Sequence, residues 1–283
     1  MNRKHTPGLY TSDVHFACVP VAILACACGR IGFGSTGDGG GAGSDAPGDG
    51  ALVDMPDGTT MTFDAPPSLC GTAGANMCDG FETTTLDSRW QLDVSMGSVS
   101  VDTAFFYRGG SSLRAHVDAI GGSPVSSPRG SMRSYQGLPI PSATTYVRVF
   151  AFIPSTTPQR FVQWINTSND SGLGSSTGMQ NNDVVNNDYA VAPSTFVRSP
   201  TTQFPRDRWV CVTYEVPTGT NPLRVYIDDV EVSDVRITPT MAHPAPTHVY
   251  LGLDFPETFS NQPAANAWFD EIMVDDLPIA CAD

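Results

Sequence analysis

Between Asp79 and Cys281 apolar side chains recur at every second position, and no stretch sustains a period of 3.6 residues. Such alternation marks strands with one buried face, whereas the longer period would mark amphipathic helices. The pattern predicts strands over 111–117, 145–153, 208–216, 223–228, 248–255 and 267–274. In the second of these, Val147, Val149, Ala151 and Ile153 oppose Tyr146, Arg148, Phe150 and Phe152; in the third, Val210, Val212, Tyr214 and Val216 oppose Trp209, Cys211, Thr213 and Glu215. Turn-forming pairs fall between them, among them Gly109-Gly110, Gly121-Gly122, Asn221-Pro222 and Asp228-Asp229. Many strands without crossover helices predict an all-β fold, a two-sheet antiparallel sandwich in one domain over 68–283.

The pattern is different before this body. Arg3, Lys4 and His5 precede an apolar run from Val14 to Cys28, too short to span a bilayer but suited to the core of a secretory signal. Ile23-Leu24-Ala25-Cys26 resembles a bacterial lipobox, which implies lipidation at Cys26; Cys28 is the alternative. Residues 1–28 are therefore read as signal peptide and lipobox. Over 29–67, eleven glycines lie between Gly29 and Gly58, interspersed with Asp38, Asp45, Asp49, Asp54 and Asp57. That composition buries too little apolar surface to offset ordering entropy, so the segment is read as a disordered Gly/Asp-rich tether. It lacks the nonapeptide period of calcium-binding repeats. These features predict an exported lipoprotein at the outer membrane or surface of a bacterium, touching the membrane only through its lipid.

Charge narrows the partners. The 29 acids outnumber 15 bases for a formal net charge of −14, and every base except Lys4 is an arginine, spread singly. Nucleic acid requires clustered cations, so it is excluded as a partner. Beyond the leader, Cys70, Cys78, Cys211 and Cys281 remain, an even number that suggests two disulfides with three pairings open. Cys70–Cys78 is preferred as a local staple, leaving Cys211–Cys281 to tie a central strand to the C-terminal end. No C-x-x-C occurs, and His116, His243 and His248 have no ligand spacing, so no metal site of that type is expected.

Several segments resemble the concanavalin A-like (laminin-G-like) jelly-roll superfamily: Phe81-Glu82 followed by Trp90, then Tyr107-Arg108-Gly109-Gly110-Ser111-Ser112-Leu113, and Trp268-Phe269-Asp270-Glu271-Ile272-Met273-Val274. The lead from Arg206 to Val210 into a strand also fits, and the resemblance covers about Asp79 to Cys281. It implies a jelly roll and leaves activity open, since the superfamily includes glycan-binding modules, hydrolases and polysaccharide lyases.

Each activity makes a chemical demand. The hydrolases of this superfamily use E-x-D-x-x-E, which is absent; Asp270-Glu271 with Asp275-Asp276 reads instead as a solvated strand edge. The lyases need a proton acceptor beside groups that neutralise a uronate, and resemblance points to Tyr189 with Arg133, Arg148 and Gln163, although Ile165 and Val191 stand where the family carries His and Lys. Glycan binding needs aromatic faces and planar polar groups, for which Arg133, Tyr146, Arg148, Gln163 and Tyr189 are the candidates, with Arg114, His116, Arg224, Tyr226, His248 and Tyr250 on similar faces. Alternation sets Gln163 and Trp164 on opposite faces. Calcium is a candidate ligand at Asp228-Asp229, Asp275-Asp276 or Asn181-Asn182-Asp183; no other cofactor is expected. The reading that results is a monomeric, non-catalytic glycan- or polysaccharide-binding domain on a surface lipoprotein. A lyase acting on a uronic-acid polymer and a structural envelope protein are the alternatives.

Overall fold

The computed structural model describes residues 53–54, 60–61, 66–71, 74–134 and 144–281, so the lipobox with Cys26 and Cys28 and most of the 29–67 segment lie outside the described residues. Two antiparallel sheets form a jelly-roll sandwich, as the alternation predicted. The front sheet has seven strands, in the order Thr195–Gln203, Asp183–Asp188, Gly174–Gln180, Val162–Ser168, His248–Asp254, Arg129–Ser134 and Trp90–Ser95. The back sheet has eight. Seven run in the order Val230–Glu231, Arg224–Ile227, Trp209–Pro217, Thr144–Phe152, Ala265–Asp275, Ser112–Val117 and Gly97–Asp102, and Met77–Asp79 pairs beside Ala265–Asp275. Helical structure among the described residues is confined to the short 3-10 turns Leu69–Gly71 and Ser233–Val235.

The core lies where the inner faces meet. Leu113, Ala115, Val117, Val147, Val149, Ala151, Val212 and Tyr214 from the back sheet pack on Met132, Val162, Ile165, Met179, Val249, Leu251 and Leu253 from the front. These are the apolar halves of the alternating strands, and their burial supplies the dominant favourable term of folding.

Part of the front sheet's inner face is polar. Ser175, Thr177, Asn186 and Asp188 are all buried there. Thr177 Oγ1 donates to Val185 O at 2.8 Å, and Asn186 accepts from Tyr214 Oη at 3.0 Å while donating to Val235 O at 3.0 Å. Those bonds meet the requirement that buried polar groups be paired.

Asp270 and Glu271 are fully buried in the central closing strand rather than on a solvated edge. A register shift between Asp270 and Met273, with Glu271 at φ 52°, forms a bulge that breaks the alternation. Asp270 Oδ2 then accepts from the backbone N–H of Tyr107 at 2.8 Å and Arg108 at 3.1 Å, and Glu271 Oε2 accepts from Cys70 N at 3.2 Å. Both preferred disulfides, Cys70–Cys78 and Cys211–Cys281, are present.

Candidate functional site

The outer face of the front sheet carries a trough of about 390 Å³. Strand register builds it. Gln91 pairs with Arg133, Arg133 with Tyr250, Tyr250 with Asn166, Asn166 with Ser176 and Ser176 with Asn187, so one row of polar side chains crosses five neighbouring junctions. Asp93, Gln163, Asn166, Asn187, Tyr189, Tyr250 and Asp254 line the trough.

Gln163 and Asn166 are three residues apart, a spacing that puts them on opposite faces of a regular strand. A register shift between Gln163 and Ile165 interrupts Val162–Ser168 and turns both amides outward. Trp164, at the bulge, goes into the core with its ring centroid 4.2 Å from that of Phe204. Opposite the bulge Gly252 has φ 142°, and an added Cβ would lie 2.4 Å from Gly130 O, so glycine is required there.

The polar groups of the trough hold one another. The Tyr189 phenol donates to Asn166 Oδ1, with Thr167 O a further acceptor at 3.2 Å, and Asn166 Nδ2 reaches Gln163 Oε1 at 3.5 Å. Burial pushes the Tyr189 phenol well above its ordinary pKa, so the proton stays on. Asp254 is lifted to about 6, first by burial, with Arg129 opposing and the Asp93 charge adding to the rise. Its Oδ1 is buried and has no hydrogen-bond partner among the described residues. Arg129 Nε is engaged by Asp93 Oδ1 at 2.8 Å, and Arg133 donates twice to Gln91 Oε1 at 2.7 and 2.9 Å.

Of the five binding candidates, Gln163 and Tyr189 meet in the trough, and Arg133 lies beside Tyr250 in the same row. Tyr146 and Arg148 do not join them: both are on the outer face of the back sheet, across the core. Arg148 is 2% exposed, and its guanidinium donates to Ala280 O at 3.2 Å and Glu271 O at 3.1 Å, a structural clamp. Asp93, Asn166, Asn187 and Asp254 escaped the sequence reading. No periodic signal marks them, and only the pairing of distant strands makes them neighbours.

Some of the oxygens that the sequence offers to calcium accept protein donors. Asp228 Oδ1 takes Cys211 N at 3.0 Å and Oδ2 takes Arg208 Nη2 at 2.8 Å; Asp229 Oδ1 takes Cys281 N at 2.9 Å. Asp275 Oδ1 takes Asn76 Nδ2 at 2.8 Å, and Asp183 faces Arg198 at 3.3 Å. The sulfurs of Cys70 and Cys78 approach Glu271, but they are bonded to each other and offer no thiolate to a metal.

No family model matches the chain, and no curated protein matches it. Solved structures do. Cellulose induced protein, Cip1, aligns over 73% of this chain and 100% of its own at 17% identity, with a TM-score of 0.57. The botulinum neurotoxin type G receptor binding domain aligns over 73% of this chain and 49% of its own at 10% identity and TM-score 0.46. A sialidase aligns over 71% of this chain and 18% of its own at 11% identity and TM-score 0.49. The chain thus spans all of Cip1 but less than half of the other two. The likeness to Cip1 is one of fold.

Proposed function

We propose that this chain is an exported glycan-binding protein, lipidated at Cys26, whose front-sheet trough holds a polysaccharide segment without cleaving it. One observation carries this reading: Gln163, Asn166, Asn187, Tyr189 and Tyr250, drawn from three strands and one strand end, converge in an open trough. Planar amides meet the paired hydroxyls of a pyranose, and phenol rings offer it an apolar face with a polar tip. Two disulfides suit an oxidising compartment, and no described helix is long and apolar enough to cross a membrane.

The lyase reading draws on the contact between Tyr189 and Asn166, which sets a phenol beside an amide able to neutralise a uronate. Against it, that phenol already has two acceptors and burial retains its proton, whereas a proton acceptor must be free to ionise or relay.

A glycan array on the full chain, followed by titration of Y250A and Q163A, tests the binding reading. We expect at least one polysaccharide to bind and each variant to weaken it by about tenfold, the equivalent of roughly 1.4 kcal/mol. Ultraviolet-absorbing unsaturated ends appearing with a uronic-acid polymer would establish the lyase reading instead, and no binding across the array would leave the structural-protein alternative. Mass spectrometry of the processed N-terminus tests acylation at Cys26 against Cys28.

A further inference from the structure

The outer face of the back sheet has a hollow of its own, of about 310 Å³. Tyr146, Thr213, Glu215 and Tyr226 form its floor, from three adjacent strands, and Pro278, Ile279 and Ala280 form one wall. The wall is a strap fixed at three points. Cys281 is bonded to Cys211, Cys281 N donates to Asp229 Oδ1 at 2.9 Å, and Ala280 O accepts from the buried Arg148 at 3.2 Å.

The floor is polar, with Thr213 and Glu215 buried at its centre between the half-buried Tyr146 and Tyr226. Glu215 is 7% exposed, with Oε1 accepting from Arg224 Nη1 at 2.6 Å and Oε2 from Tyr226 Oη at 2.7 Å. Arg224 balances the carboxylate charge, and each oxygen keeps a lone pair for a further donor. Thr213 is 4% exposed, and its hydroxyl has no hydrogen-bond partner among the described residues. A buried hydroxyl left unpaired costs stability, and native folds retain few of them. Thr213 lines the hollow, with this oxygen just beneath its surface.

We propose that the hollow is a second sugar site, taking a single neutral hexose ring. The ring's apolar face lies on Pro278 and Ile279, while its hydroxyls donate to Glu215, and a turn of the Thr213 side chain about χ1 would bring its hydroxyl to the ring. Tyr226 donates to Glu215 and so offers its remaining lone pairs to the same ligand. Glu215 and Asp229 disfavour an anionic sugar. The volume is at the lower end of ligand pockets, roughly 300–1,000 Å³, which suits one ring or a chain terminus better than a chain interior. The proposal is independent of the trough, which faces away on the other sheet.

The test is an NMR titration of the full chain with methyl α-glucoside, methyl β-galactoside and methyl α-mannoside. At least one is expected to shift the resonances of Tyr226 and Ala280. T213V removes the hydroxyl at constant shape and should weaken that binding by about tenfold, one hydrogen bond's worth. A280W fills the hollow from an exposed position and should abolish the shift at Tyr226. Neither variant should lower the unfolding temperature, which separates loss of the site from loss of the fold. Silence from all three glycosides, or unchanged binding by both variants, overturns the proposal.

Discussion

Asp254 sits at the floor of the trough with Oδ1 buried and unpartnered among the described residues, and burial lifts its carboxyl to about 6 from an ordinary 3.8. The folded state therefore holds this proton more tightly than the unfolded chain does. Its contribution to stability is greatest below about pH 4, declines between about 4 and 6, and stays low above that. D254N should remove the decline and stabilise the fold at pH 7 by on the order of 1–3 kcal/mol. Urea unfolding of both proteins at pH 4, 5 and 7 checks this, and parallel profiles would refute it. Thr213 makes a related case with a neutral group. Its unpaired hydroxyl suggests that T213V raises stability by about 1 kcal/mol, readable as a higher unfolding midpoint; a lower one would show that the hydroxyl has a partner in the folded protein. At this scale the sequence is partly legible. Alternation correctly separates Gln163 from Trp164, but Asn166 joins Gln163 only because a bulge intervenes, and no residue type announces that bulge.

The strands divide into those the sequence reveals and those it conceals. Expected strands at 111–117, 145–153, 208–216 and 248–255 appear as Ser112–Val117, Thr144–Phe152, Trp209–Pro217 and His248–Asp254, because their inner faces are apolar throughout. Gly174–Gln180 and Asp183–Asp188 carry buried Ser175, Thr177, Asn186 and Asp188 inward, so polar residues occupy both faces and no alternation registers. These concealed strands build one side of the trough. The closing strand expected at 267–274 appears as Ala265–Asp275, but its bulge at Glu271 conceals the burial of the two acids. Two elements can be tested by substitution. G252A forces φ 142° on a residue with a Cβ, 2.4 Å from Gly130 O; we expect a loss of about 2–3 kcal/mol by chemical denaturation, and a loss below 0.5 kcal/mol would show that the strand relaxes freely. The staples also differ in reach. Cys211–Cys281 spans 70 residues and Cys70–Cys78 spans 8. Loop-closure entropy gives about 4 kcal/mol for the first and about 2.5 kcal/mol for the second. Paired Cys→Ser variants, compared by urea unfolding, should follow that order.

Seen whole, the sandwich sets two hollows of different shape back to back, an open trough on the front sheet and a smaller socket on the back. The hydrophobic core lies between them, and no lining residue is shared. Occupancy of one should leave the other's affinity unchanged. A hexoside titration repeated with a saturating trough ligand checks this, and a shift beyond about twofold would imply coupling through the core. The sequence conveyed this architecture only in outline. It located the sandwich, the tyrosines and the arginines, but it grouped Tyr146 and Arg148 with Gln163 and Tyr189 because alternation shows that a side chain faces outward without showing from which sheet.

The strap gives the socket a history that the trough lacks. Its wall is held by the bond joining Cys281 to Cys211 together with two hydrogen bonds, so reducing that bond should loosen the socket and leave the trough on the opposite sheet intact. On the proposed reading, the response to free hexose should be strongest once the two thiols have joined. Sugar sensitivity would then act as a clock for oxidative maturation, separating finished molecules from those that have folded but are not yet sealed.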